Sequence, residues 1–198
     1  MKQMILLASM LLFVGCGPTT VDNGVDPPVP VAEAQDDIAE APKGSGEDTR
    51  RQYAAVSFMI PGDWAEQELS AMQASVIESK YTIPHDEGNM EITLTTMGGG
   101  AQSNISRWIG QITVEPGEDP KIESKKVGDK DASWVDVRGT FNARVGEDRG
   151  PHRDWRLVGI VIPNQPKDFT IKLVGPRQAM ADYYEKFLEF LDSAKYGG

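Results

Sequence analysis

The chain has one cysteine, Cys16, in 198 residues. Intramolecular disulfides are therefore excluded, and any folded domain must be held by its core alone. Long apolar runs are also missing. The longest, Met4–Val14, has about 11 residues, against the roughly 20 that a helix needs to cross a bilayer. Histidine occurs twice, as His85 and His152, with no HxH or HxxxH pair, so the paired-imidazole pattern of most zinc sites is lacking. No GxSxG is present, which removes the nucleophile elbow of serine hydrolases. The triplet Gly98-Gly99-Gly100 fits neither GxGxxG nor GxxxxGK[ST] and reads as a turn, not a phosphate cradle. The acidic loops Gly117-Glu118-Asp119 and Asp129-Lys130-Asp131 lack the calcium-loop pattern. No metal or cofactor is therefore expected. Positive charge is in deficit: 20 Lys and Arg stand against 30 Asp and Glu, a net charge of −10. Such a chain repels phosphate backbones and anionic headgroups, so nucleic acid is excluded as a partner class.

What is present begins with an export signal. Lys2, the apolar run Met4–Val14 and then Gly15-Cys16-Gly17 match the charged, apolar and processing regions of a secretory signal. The cysteine sits behind a small residue at the processing point. This resembles the lipobox of bacterial lipoproteins, in which the thiol takes a diacylglyceryl group and becomes the mature N-terminus. The resemblance implies a signal peptide over residues 1–15, lipidation of Cys16 and attachment to a membrane on the extracytoplasmic side of the cell envelope. The alternative is an ordinary secreted protein with an incidental cysteine.

Residues 16–52 differ in composition from the rest. After Cys16 they hold five prolines, eight acids against Lys43, Arg50 and Arg51, and no aromatic residue. Such a segment cannot bury enough apolar surface to offset its ordering entropy, so it is expected to be a tether. As a flexible coil it would span on the order of 30–35 Å. Residues 53–198 form the remaining domain, of ordinary size for one core.

Within that domain the organising stretch is Glu91–Ile112. Ile92, Leu94 and Thr96 alternate with Glu91, Thr93 and Thr95 as in a strand. The glycines follow, with Ser103 or Asn104 suited to cap a helix. Ile105, Trp108, Ile109 and Ile112 then recur at helical spacing. Val56–Ile60, residues 73–83, Ile122–Val127 with Ser133–Phe141 as a hairpin, Trp155–Ile162 and Phe169–Leu173 read as further strands. Trp155–Ile162, apolar on both faces, is expected at the sheet centre. The run Lys121, Lys125, Lys126 and Lys130 is interleaved with acids and reads as a solvated hairpin. Gly175-Pro176 opens what is expected to be the longest helix, with Met180, Tyr183, Tyr184, Phe187, Phe190, Leu191 and Ala194 on its buried stripe.

Ile60-Pro61-Gly62-Asp63-Trp64, Asn104–Arg107-Trp108–Gln111 and Lys172-Leu173-Val174-Gly175-Pro176 together resemble a PsbP-like domain, over about residues 53–195. That fold occurs in the photosystem II extrinsic subunit, in a Ran-binding nuclear import factor and in bacterial lipoproteins of unknown function. The resemblance implies an α+β fold, an antiparallel sheet between helices (α/β/α). It implies no enzyme, and neither a partner surface nor a metal site is carried over.

Functional candidates are few. His85 and His152 lie in turns beside carboxylates; each is read as a loop histidine before a general base. Asn104, Arg107 and Gln111 beside Trp108 are a candidate polar ridge for a partner protein. The competing roles are an N-cap, a surface ion pair and a helix-to-loop hydrogen bond. The expectation is a non-catalytic, membrane-tethered protein-binding or scaffold module whose partner is another envelope protein. A small-ligand or lipid-binding lipoprotein and a hydrolase with an unrecognised site are the alternatives.

Overall fold

The computed structural model describes residues 43–142 and 151–197. The signal, Cys16 and most of the proposed tether lie outside the described residues.

The domain starts earlier than residue 53. β1 (Thr49–Tyr53) pairs antiparallel with β2 (Val56–Ile60). The composition of β1 concealed it, because four of its five side chains are exposed and only Tyr53 is buried. Its strand character comes from backbone hydrogen bonds to β2. Just before it, residues 44–48 are clasped to the Pro61-Gly62 turn: Gly46 N–H donates to Gly62 O at 2.8 Å, and Gly62 N–H donates to Asp48 Oδ1 at 2.9 Å. The backbones meet so closely that a Cβ on Gly62 would lie 2.4 Å from Glu47 N.

β3 (Ala65–Glu66), α1 (Ala71–Ala74) and β4 (Ile77–Ile83) follow. The extended segment expected from residue 73 thus begins only at Ile77. Ser70 and Gln73 form a reciprocal capping box that turns the preceding residues into a helical turn. β5 (Met90–Met97) leads into α2 (Gly100–Ile109). Neither Ser103 nor Asn104 caps this helix. Gly99, at φ 96°, is the N-cap, a left-handed conformation that glycine adopts without a Cβ clash.

β6 (Ile112–Val114), β7 (Lys121–Val127), β8 (Lys130–Phe141), β9 (His152–Ile162) and β10 (Asp168–Pro176) complete the large sheet. Its order is β3-β4-β5-β10-β9-β8-β6, with β7 also on β8, and every pairing is antiparallel. β9 is central, as its two apolar faces require, and the β7–β8 hairpin forms with an exposed β7. β10 runs on through Pro176, so the next helix opens at Arg177, not at Gly175-Pro176.

That C-terminal helix is interrupted. α3 (Arg177–Asp182) and α4 (Tyr184–Asp192) are separated at Tyr183 (φ −88°, ψ −7°), so α2, with ten residues, is longer than either. The Tyr183 side chain is buried, and Trp64 Nε1–H donates to its hydroxyl at 2.6 Å. β11 (Lys195–Tyr196) joins β2, making a second sheet of order β1-β2-β11.

Two cores result, one on each face of the large sheet. On one face Phe58, Trp64, Phe187, Phe190 and Leu191 pack on Ile92, Leu94, Ile160 and Ile171. Here the cover is α3, α4 and the small sheet together. On the other, Ile105, Trp108 and Ile112 pack on Val135, Val137, Leu157 and Val161. Gly159 lets the Trp108 indole lie against β9; a Cβ there would be 2.2 Å from the ring. The expected helix–sheet–helix layering therefore holds in outline, with less helix and more strand than anticipated.

Candidate functional site

The expected ridge is only partly on the surface. Asn104 is 0% exposed and Trp108 4% exposed, so neither can meet a partner. Asn104 Nδ2–H donates to Gly100 O at 2.9 Å and to Gly98 O at 3.4 Å, and its Oδ1 accepts from Arg107 at 2.7 Å. This side chain ties the glycine turn to the helix it opens. Arg107 is exposed and Gln111 half-buried, its Oε1 buried without a protein hydrogen-bond partner. The reason is local. Asn104, Trp108 and Gln111 are spaced i, i+4, i+7, so once the helix starts at Gly100 the ridge and the buried face of α2 share residues.

The histidines are separately engaged. His85 Nδ1 accepts from Glu87 N–H at 3.1 Å, and its Nε2 is 3.8 Å from Asp182. His152 stacks on Trp155, with ring centroids 4.2 Å apart. Neither lies within hydrogen-bond reach of a nucleophile in the contacts described. Among the described residues no group of three or more His, Cys, Asp or Glu side chains could hold a metal ion. No described helix is long and apolar enough to cross a membrane.

The conspicuous polar interior is structural in arrangement. Arg156 is buried and gives two hydrogen bonds to Asp136, at 2.9 and 2.7 Å, while its guanidinium lies 4.6 Å from the Tyr184 ring centre. Burial alone would lower its pKa, but the Asp136 bonds hold it above the ordinary arginine value. Beside it, Arg177 Nη2 donates to Glu118 at 3.0 Å. The Arg177–Glu118 pair fastens the loop before β7 to the start of α3, while Arg156–Asp136 joins β9 to β8.

Cavities are limited. A crevice lined by Ala55, Val56, Ile162, Phe169 and Tyr196 has no room for a water molecule, so the apolar core is filled there. A groove of about 480 Å³ runs between the Pro61-Gly62 turn and α4. Met59, Pro61 and Phe190 line it together with Asp48, Asp63, Lys186 and Glu189.

The surface feature that sequence reasoning missed is α1. All four of its residues are exposed, and with Met72 at 85% and Val76 at 50% the β3–β4 connection presents apolar side chains to solvent. Its shape is local in origin: Ser70 Oγ accepts from Gln73 N–H, Gln73 Oε1 accepts from Ser70 N–H, and Ser75 Oγ donates to Met72 O at 2.7 Å. Glu66, Glu68 and Glu78 flank it. The signal was available as Ser70-x-x-Gln73, a capping box that runs into the start of the stretch expected to be extended, residues 73–83. At the opposite edge of the same sheet, Ile122 of β7 is 55% exposed on the same face as Lys126, while Lys121 and Lys125 project from the other face of the strand.

No protein-family model matches this sequence, and no curated protein matches it. Similarity appears at the level of structure. The solution structure of cyanobacterial PsbP (CyanoP) from Synechocystis aligns at TM-score 0.50 and 12% identity, over 78% of this chain and 95% of that one. The crystal structure of the Saccharomyces cerevisiae Ran-binding protein Mog1p aligns at TM-score 0.42 and 10% identity, over 76% and 96%. A Pseudomonas aeruginosa protein of unknown function, a putative regulator, aligns at TM-score 0.40 and 12% identity, over 75% and 96%. The likeness to CyanoP carries the fold: this chain has the PsbP-like arrangement that its sequence motifs resembled.

Proposed function

We propose that the chain is a lipoprotein held to a membrane of the cell envelope through Cys16, and that its domain is a non-catalytic module that binds another protein. The contact surface is the α1 projection, not the Asn104–Gln111 flank of α2. One observation carries this reading: among the described residues only three large apolar side chains are exposed, two of them at α1 and its end, and α1 buries none of its residues and turns Met72, the most exposed of the three, outward. Exposed apolar side chains with a polar rim mark protein contacts more often than chemistry. The rim here is acidic, so the partner surface that fits is apolar at its centre and basic around it.

A second reading has its own observation. The groove of about 480 Å³ beside α4 is large enough for a small polar ligand, and its charged lining suits that better than a lipid tail.

The test is co-purification of the full-length protein from its own membranes, with Met72→Glu/Val76→Glu and Cys16→Ala as parallel samples. The reading expects a partner retained by the wild type and lost with the double substitution. The Cys16→Ala protein should leave the membrane fraction. Identical partner recovery from wild type and Met72→Glu/Val76→Glu would remove α1 as the contact.

A further inference from the structure

Three large apolar side chains are exposed among the described residues, and they sit at the two ends of one sheet. Met72 and Val76 project beside β4 at one edge, and Ile122 lies in β7 at the other. The two edges differ in charge. Residues 66–78 contain Glu66, Glu68 and Glu78 and no cation, whereas β7 contains Lys121, Lys125 and Lys126 against the single acid Glu123. β7 is paired with β8 along one side, and no described strand runs along the other.

We infer that the α1 projection of one copy docks on the β7 edge of a second copy, head to tail. This rests on the protein-binding reading above and names the partner as the chain itself. Apolar side chains meet at the centre, Met72 and Val76 against Ile122, with carboxylates facing lysines around them. The charge pattern also decides between symmetries. A two-fold contact of β7 with β7 would bring three lysines against three, which is how exposed edge strands commonly avoid pairing with themselves. Glu66 is already paired with Arg51, so a contact of α1 with α1 would set Glu68 and Glu78 against their own copies. Only the mixed contact matches opposite signs, and a mixed contact is heterologous: it leaves one free projection and one free edge on every pair. Association therefore continues past the pair, into a chain or a closed ring. The existing Lys126–Asp131 pair, at 2.9 Å, is exposed and easily exchanged for a new partner, whereas Lys125 is held by Glu123 at 2.8 Å and over the Trp134 ring.

Analytical ultracentrifugation of the full chain carrying Cys16→Ala tests this. Mean mass should rise with concentration beyond the dimer and fall with added salt. Met72→Glu and Ile122→Glu should each weaken association by about tenfold or more with unchanged circular dichroism and melting. An equimolar mixture of the two variants should form dimers and stop there, because that pair retains one intact projection and one intact edge. Glu68→Lys/Glu78→Lys should likewise block assembly, and adding Lys125→Glu/Lys126→Glu to the same chain should restore it. A monomer at every concentration, association that survives either single substitution, or a mixture that stays monomeric would each overturn the inference. A strictly monomeric protein that still co-purifies an unrelated partner through Met72 would leave the protein-binding reading standing.

Discussion

Asn104 shows how a single side chain changes meaning once the backbone is known. A polar residue before an apolar helical stripe reads as a cap or a contact, and it is instead enclosed, holding the carbonyls of Gly98 and Gly100. Asn104→Ala should cost about 0.5–1.5 kcal/mol, because the hydrogen bonds to the Gly98 and Gly100 carbonyls are lost, while partner recovery stays unchanged. Urea denaturation together with co-purification checks both halves. Gly159 is a sharper case. Its missing Cβ is the space the Trp108 indole fills. Gly159→Ala should destabilise by about 1–3 kcal/mol through overpacking, visible as a lower urea midpoint with an altered tryptophan emission. No residue-by-residue reading of LVGIVI could find this, since the glycine's neighbour across the interface is 51 positions away in the chain.

Elements were legible where burial imposes a period. β2, β5, β9 and β10 stand near their expected places, because alternating or continuous apolar runs have no other economical fold. β1 was not legible, since its side chains face water and its backbone alone joins the sheet. α1 was missed because a capping box of polar residues carries no apolar period. Met180, Tyr183, Phe187, Phe190 and Leu191 of the C-terminal stripe are buried as expected, Tyr184 and Ala194 only partly, and the helix is not continuous, the break at Tyr183 coinciding with a side chain bound to Trp64. Two substitutions separate core elements from surface ones. Phe187, fully buried against Trp134 and Phe190, should not tolerate charge: Phe187→Asp should abolish cooperative thermal unfolding. Met72→Glu should shift stability by no more than about 0.5 kcal/mol, because no residue of α1 is buried and Met72 is 85% exposed. A Met72→Glu protein that melts far below wild type would show α1 to be part of the core after all.

For the whole molecule, the absence of disulfides places stability in two cores on either side of one sheet, with buried tyrosines in the larger. Burial pushes the Tyr196 hydroxyl up to about 12, and burial raises Tyr53 and Tyr183 further still. An unfolded tyrosine loses its proton near pH ~10. Above that pH the unfolded chain therefore binds fewer protons than the folded one, and stability falls as pH rises toward 12. Alkaline titration followed by circular dichroism should show this loss beginning near pH ~10, and Tyr196→Phe should remove its share.

As proposed above, this globule works by contact through α1, whose residues are not part of its own core. A photo-crosslinking residue at position 72 of the full-length protein, activated in intact cells, reads this directly, with one at Glu185 on the outer side of α4 as control. A discrete crosslinked species is expected from position 72 and none from position 185. No adduct at 72, or the same adducts from both positions, would contradict it.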